Sequence, residues 1–254
     1  MSEDLALAER AARAAGGVLL ERYGGPVEGL DVKSSATDPV SDADREAERT
    51  IRELLEAERP YDGLLGEEGS REASDSGRRW VIDPLDGTVN YLYGIPQWCV
   101  SIALEDADGA LAGVVFDPLQ DELFSAERGS GAGLNGKQVS VSGVSELSGA
   151  LVGTGFSYEA EHRAEQAAVV GRLLPLVRDI RRAGSAALDL CWVATGRLDG
   201  FYERGVKPWD WRAGGLLVEE AGGEVRELPG EPFGVVAAGP GLIDDLFGLV
   251  GQRS

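Results

Sequence analysis

The chain has 254 residues, of which 24 are Lys or Arg and 44 are Asp or Glu, so it carries a formal charge of −20 with its single histidine neutral. That charge argues against binding nucleic acid or an anionic membrane through the general surface, and no apolar stretch approaches the roughly 20 residues that a bilayer span needs. With 43% hydrophobic and 27% charged residues the composition is that of a globular protein, not a disordered or fibrous one, and the length suffices for a large core in one or two domains.

The amino terminus, Met1-Ser-Glu-Asp-Leu5, is acidic and lacks the basic region of a secretory signal. Cys99 and Cys191 both sit in apolar runs, where cysteine packs and neither pairs nor binds metal. A reducing, cytoplasmic location is the expectation. Residues 5–23, rich in Ala and Leu, predict a helix ended by Gly24, Gly25 and Pro26. A polar connector over 31–44 leads into a second helix, capped by Ser41 or Asp42 and running to Arg59 ahead of Pro60. Ile51, Leu54 and Leu55 mark its apolar face. Asp44 lies in its first turn, where an acid complements the helix dipole by about 0.3–1 kcal/mol. Lys33 and Asp38, taken alone, are loop charges. Leu64-Leu65 stops abruptly at Gly66-Glu67-Glu68-Gly69, a pattern that suits either a solvated turn or a loop at the edge of a site. Residues 71–79 read as a polar, mobile loop.

Trp80-Val-Ile82 is an apolar run that predicts a buried strand ending at Asp83 and Pro84. Asp83 and Asp86 are thereby thrown out at the carboxyl end of a strand, where open sheets bind ligands. Gly87 lets the backbone turn sharply, and Thr88 opens a helix whose free N–H groups favour an anion. Asp-Pro and Asp-Gly alone make an ordinary turn. Carboxylates for a cation beside N–H groups for an anion describe a seat for a metal-bound phosphate.

Residues 99–104 and 111–116 predict strands joined by a hairpin turn at Asp106-Ala-Asp-Gly109, and 122–126 another strand. The glycine-rich segment 129–136 lacks GxGxxG spacing and a Walker lysine, and reads as turns. From Ala150 strands and helices alternate: strand 151–156, helix 161–174, strand 177–181, helix 186–195 capped by Ser185, and strand 198–203. Lys207-Pro-Trp-Asp-Trp211 opens a further helix ended by Gly222-Gly223. Strands over 224–228 and 235–238 and a short helix close the chain. His162, among Glu159, Glu161 and Glu165, reads as a salt-bridged surface histidine.

Taken together, Gly66-Glu67-Glu68, Asp83-Pro-Leu-Asp86-Gly-Thr88 with Asn90, and Trp209-Asp210 ahead of Glu219-Glu220-Ala-Gly-Gly223 resemble the inositol monophosphatase family, within the metal-dependent, lithium-sensitive phosphatase superfamily. The resemblance covers nearly the whole chain. It implies an α/β fold, an α+β layered sandwich in the order αβαβα. The expected division is an antiparallel-rich part over 1–145 carrying most metal ligands and an alternating part over 146–254 carrying Asp210 and the substrate contacts. It further implies that Glu67, Asp83 and the Leu85 carbonyl hold one Mg²⁺, that Asp83, Asp86 and Asp210 hold a second, and that a weaker third sits near Glu67. Mn²⁺ is a possible substitute and Li⁺ an inhibitor.

On the same resemblance, Gly87 and Thr88 give N–H groups to the phosphate, and Lys33, Asp38 and Asp44 belong to a loop and helix start that close over the metals. Gly184, Ser185, Ala186 and Glu203 meet the alcohol part of the substrate, alongside contacts from Glu67, Leu85, Asp86 and Asp210. The implied reaction is in-line hydrolysis of a phosphate monoester by water, oriented by Glu67 and the Thr88 hydroxyl with Asp44 behind it. No cysteine or histidine suits a covalent phospho-enzyme. A small phosphorylated polyol, foremost inositol 1-phosphate, is the expected substrate. Histidinol phosphate, fructose 1,6-bisphosphate, an adenosine 3′,5′-bisphosphate, or a regulatory binding role on the same fold are the alternatives. A homodimer is implied, with no nucleic-acid or membrane partner. Val89 stands where Thr is common, and Arg212 stands where small residues are frequent, open to reshaping the pocket or meeting a second phosphate.

Overall fold

The computed structural model describes residues 1–25, 31–32, 39–40 and 42–251. Helix α1 (Glu3–Arg22) starts where the Ser2 hydroxyl accepts from the Leu5 N–H at 3.2 Å. Strands β1 (Asp31–Val32) and β2 (Pro39–Val40) pair antiparallel ahead of α2 (Asp42–Glu58). Ala8, Ala11, Ala12, Ala15 and Leu19 recur at helical spacing on α1, as Ala43, Ala47, Ile51 and Leu55 do on α2; both stripes enter one core.

Next, β3 (Gly63–Gly66) pairs antiparallel with β4 (Arg71–Glu72). Part of the expected polar loop over 71–79 is therefore an edge strand. Two exposed, charged residues carry no apolar alternation that would mark them as one. Strand β5 (Arg79–Asp86) lies parallel to β3 and antiparallel to β6 (Cys99–Asp106). It runs on past Asp83 instead of ending there. Asp83 pairs with Ser101 and Asp86 with Cys99, so three steps on β5 match two on β6. This bulge accommodates Pro84, which has no N–H to give to a ladder. After α3 (Thr88–Leu92), strands β7 (Gly109–Asp117), β8 (Glu122–Glu127), β9 (Gly131–Leu134) and β10 (Lys137–Gln138) extend the sheet by hairpins. The order is β10-β9-β8-β7-β6-β5-β3-β4. Four residues of the glycine-rich stretch are thus strand, not turn, held by pairing with β8.

The remaining elements are β11 (Leu151–Thr154), α4 (Ala160–Leu173), β12 (Asp179–Arg181), α5 (Ala186–Ala194), β13 (Gly200–Arg204), α6 (Pro208–Glu220), β14 (Glu224–Leu228), β15 (Gly234–Ala238) and α7 (Ile243–Val250). The second sheet runs β12-β11-β13-β15-β14, parallel from β12 to β13 and antiparallel around β15.

Alternation along the strands builds the layers. Trp80, Ile82, Val100, Ile102, Leu104 and Val114 face α1 and α2. Their neighbours Val81, Cys99, Ala103 and Val115 face the opposite way, into a core filled by α5 and α6. Phe201, Val235 and Ala237 of the second sheet close that core from the other side, while Val152, Tyr202 and Val236 pack with Leu173, Ile243 and Leu246 of α4 and α7. The result is an αβαβα sandwich with α5 and α6 between two sheets. No helix among the described residues is long and apolar enough to cross a membrane.

Close approach of α6 to the first sheet rests on small side chains. Gly113 pairs with Ala103 and Ala126, and a Cβ on it would lie 2.9 Å from the Ala213 carbonyl oxygen and 3.0 Å from its Cα. Backbone cannot yield as a side-chain tip can. Gly113→Ala is expected to lower stability by about 1–3 kcal/mol, the cost of overpacking a filled core, read as a lower thermal unfolding midpoint; an unchanged midpoint would show that α6 floats on this sheet.

Candidate metal and phosphate site

Four acidic side chains reach one cleft from three places in the fold. Glu67 follows β3, its N–H donating to the Ile82 carbonyl at 3.1 Å. Asp83 and Asp86 flank the bulge in β5, and Asp210 is the third residue of α6. Asp83 is 2% exposed, shares a hydrogen bond with Glu67, and accepts from the Leu85 N–H at 3.0 Å. Burial, then the charges of Glu67, Asp86 and Asp210, push its carboxyl well above the usual range. Asp210 is driven the same way by burial and by Asp86 and Glu67, against one N–H bond from Lys207 at 2.7 Å. Asp86 is pushed to about 6 by burial, restrained by bonds from the Ser185 hydroxyl at 2.6 Å and the Ala187 N–H at 2.7 Å. A carboxylate from the first sheet thus sits on the amino terminus of α5.

An all-oxygen, acid-rich donor set suits a hard divalent cation such as Mg²⁺. Among the described residues, no three acidic, histidine or cysteine side chains already stand in the spacing of an assembled ion cage. The three aspartates instead accept from donors beside them, and Asp83 and Glu67 share a hydrogen bond; were both charged, a pair at ~4 Å would cost about 4 kcal/mol at an effective dielectric near 20.

The expected anion side of the site lies at α3. Gly87 caps this helix with φ +97°, and a Cβ there would lie 2.8 Å from the Gln97 carbonyl oxygen. The Thr88 hydroxyl stands 3.0 Å from the Leu85 carbonyl oxygen and 3.3 Å from an Asp44 carboxylate oxygen, and its one proton serves one of them at a time. Asp44 is fully buried on α2. Lys33, Asp38 and Ser41 lie outside the described residues.

On the alcohol side, Gly184 has φ +98° and closes against Arg182 and Asn90. The Ser185 hydroxyl, expected at the substrate, is 2% exposed and already engaged. It donates to Asp86 and accepts from the Leu188 N–H at 3.3 Å as the cap of α5. Glu203, near the end of β13, has its carboxyl over Gly155, where a Cβ would overlap it. Burial, then Asp86, push that carboxyl up to about 8, against the pull of Arg182.

Two expectations fail on position. Arg212 points away from the cleft, toward the β6–β7 hairpin. It pairs with Glu105 at 3.3 Å, stacks 4.2 Å over Trp211, and lines a separate cavity of about 390 Å³ with Arg128 and Glu219. His162 meets the Ser157 hydroxyl at 3.5 Å instead of a glutamate, because α4 fans those acids outward. One position escaped the sequence reading, and a second was quoted there without a role. Glu48, 4% exposed on α2, accepts from the Glu68 N–H at 2.7 Å and the Ser70 N–H at 3.0 Å, tethering the loop that carries Glu67. Its signal was an acid in the stripe Asp44-Ala47-Glu48-Ile51. Asn90 donates to the carbonyls of Gln97 at 2.7 Å and Ala183 at 2.9 Å, joining the phosphate side to the alcohol side.

A two-sheet sandwich with an acidic cleft at the strand ends and the amino termini of α3, α5 and α6 beside it is the frame of a phosphoric monoester hydrolase, the class to which its relatives belong. The chain belongs to the inositol monophosphatase family, whose model matches residues 1–245. It is 47% identical over 228 residues to the inositol-1-monophosphatase SuhB of Mycobacterium tuberculosis (strain ATCC 25618 / H37Rv), covering 85% of this chain and 79% of that one. It is 42% identical over 228 residues to the Nus factor SuhB of Escherichia coli (strain K12), covering 89% and 85%. Among solved structures, the extragenic suppressor protein suhB from Bartonella henselae superposes with a TM-score of 0.92 at 40% identity, covering 98% of each chain.

The raised carboxyls give a signed pH dependence. Between pH 4.5 and about 8 the folded protein holds a proton on Glu203 that the unfolded chain has released, so metal-free stability falls as pH rises through that window. The slope is at most about 1.4 kcal/mol per pH unit for one group, and the solvent contact that Glu203 keeps narrows the window. Thermal midpoints in a chelator are expected to decline from pH 5 to 8, and Glu203→Gln to flatten the decline; a rising midpoint would contradict the assigned burial.

Proposed function

We propose that the chain hydrolyses the phosphate monoester of a small polyol, foremost inositol 1-phosphate, with Mg²⁺ as cofactor. The observation that carries the reading is the meeting of Glu67, Asp83, Asp86 and Asp210 in one cleft, where burial and neighbouring charges raise the proton affinity of the three aspartates. Glu67, Asp83 and the Leu85 carbonyl would hold one ion, and Asp83, Asp86 and Asp210 another, with room for a weaker third near Glu67. When bound, the ions supply a water of lowered pKa and positive charge for the leaving oxygen. The protein's own part is positioning. Glu67 and the Thr88 hydroxyl orient the attacking water, and Asp44 fixes the hydroxyl of Thr88. The N–H groups of Gly87 and Thr88 receive phosphate oxygens at a helix start. Glu203 and the Gly184-Ser185-Ala186 turn receive the alcohol, Glu203 accepting from a hydroxyl.

Relatives named inositol-1-monophosphatase at 47% identity support this substrate over the alternatives. Substitution by Mn²⁺, inhibition by Li⁺, a homodimer, a cytoplasmic location and a division near residue 145 belong to the same proposal. A second reading, a role as a Nus factor, is favoured by relatives of that name at 48% and 42% identity. With a charge of −20 such a role would run through protein contacts and not the nucleic acid itself.

Released phosphate measured across inositol 1-phosphate, histidinol phosphate, fructose 1,6-bisphosphate and adenosine 3′,5′-bisphosphate should rank the first highest. A higher rate on either bisphosphate would displace it. Asp83→Asn is expected to lower kcat/KM on the order of 10³-fold or more, since it removes the carboxylate common to both ion positions. Added Mg²⁺ should raise the thermal midpoint of the native chain and leave that of Asp83→Asn nearly unmoved.

A further inference from the structure

One carboxyl on α2 grips the chain on both sides of Glu67. Asp44, Ala47, Glu48 and Ile51 form the inward stripe of that helix, and Glu48 is 4% exposed there. Its two oxygens meet the backbone of a turn distant in sequence. One accepts from the Glu68 N–H at 2.7 Å, the other from the Ser70 N–H at 3.0 Å. On the other side of Glu67 the same carboxyl lies against Gly66, where a Cβ would overlap it, 2.6 Å from its carbon. Position 66 needs glycine for room and not for backbone freedom, since its φ lies outside the left-handed region. The turn is also pinched from within, the Gly66 N–H donating to the Ser70 carbonyl at 2.7 Å. Water can satisfy the N–H groups of a partly exposed turn, whereas burying a carboxyl beside them is costly. What the carboxyl adds over water is a fixed position. One turn earlier on the same face, an Asp44 carboxylate oxygen stands 3.3 Å from the Thr88 hydroxyl. Helix α2 thus holds, from positions 44 and 48, both groups assigned above to orienting the attacking water.

We propose that Glu48 is a positioning residue: it fixes the backbone that carries Glu67, so that the Glu67 carboxyl is placed for a divalent cation before the cation arrives. This rests on the metal assignment proposed above. With both oxygens engaged by N–H groups, Glu48 acts through that backbone and not as a ligand of its own. Without it the turn keeps the bond from the Glu67 N–H to the Ile82 carbonyl but loses both bonds beyond Glu67, and ordering Glu67 becomes part of the cost of binding the ion. Partners that orient metal ligands are worth roughly 10–100-fold in affinity or activity.

The test reads the Mg²⁺ concentration that gives half of the maximal rise in thermal midpoint, starting from chelator-treated, dialysed protein. It compares native protein, Glu48→Ala, Gly66→Ala and the double variant. Glu48→Ala is expected to raise that concentration roughly ten-fold. Gly66→Ala, whose added methyl pushes the carboxyl off the turn, should raise it by a similar factor. The double variant should go no further than Glu48→Ala alone, since the methyl then enters room already vacated. A merely structural role would lower the midpoint in chelator and leave the half-maximal concentration at its native value; that result overturns the proposal, as does a double variant in which the two losses multiply. Should Glu48→Ala show no cooperative unfolding, Glu48→Gln, which keeps one accepting oxygen, is read by the same concentration. Native protein whose midpoint ignores Mg²⁺ would overturn the metal assignment itself, whereas a native response left unchanged in every variant would overturn only the role of Glu48.

Discussion

Repulsion among buried acids is the constraint to which the rest of the structure answers. Asp83, Asp86 and Asp210 all hold their protons more tightly than free carboxyls do, with burial as the first cause and one another's charges behind it. A cluster of that kind is tolerable only if the backbone forces it and if something positive is due to arrive. The forcing is visible at each position. A bulge in β5 throws two aspartates to the cleft over a span of four residues, the amino end of α5 grips Asp86, and Pro208 starts α6 so that Asp210 falls in its first turn.

The layered fold makes that forcing possible. Helices α5 and α6 are sandwiched between the sheets, so their axes are fixed on both sides by core packing. The small-residue row under Ala213 lets α6 approach closely enough for Asp210 to reach acids of the first sheet. Around the cleft, tethers made by side chains to backbone replace regular pairing. Glu48 holds the loop of Glu67, Asn90 joins two loops, and the Ser101 hydroxyl donates to the Trp209 carbonyl at 3.1 Å to anchor the start of α6. Tyr91 and Trp98, with ring centroids 5.1 Å apart, and the Tyr91 hydroxyl donating to the Leu19 carbonyl, fix α3 against α1. These tethers stiffen the frame around the acids.

Much of this was legible in the chain. Helical stripes and alternating strands located the main elements, and glycine-flanked acids pointed to the cleft. What failed had one physical source: partners distant in sequence. Pro84 reads locally as a strand end, and only pairing across to Ser101 and Cys99 turns it into a bulge. Residues 131–134 read as turns until β8 lies beside them. Ser185 reads as a helix cap and a substrate contact, and the cap is there, yet its hydroxyl donates to Asp86, 99 positions away. Glu48 and Asp189 sit on helices where an acid passes for a solvated side chain, and burial is a property of what packs over them. Arg212 invited a role near the phosphate because of its proximity to Asp210 in sequence; two residues along a helix turn a side chain to another face.

The claim that divalent cations are what reconcile these acids can be met directly. Crystals grown with Mn²⁺ and measured at the manganese absorption edge should show anomalous peaks bounded by Glu67, Asp83, Asp86 and Asp210, at ~2.0–2.2 Å from their oxygens, with Asp83 touching two of them. Peaks confined to the outer surface, with the three aspartates still turned to their hydrogen-bond donors, would contradict the account.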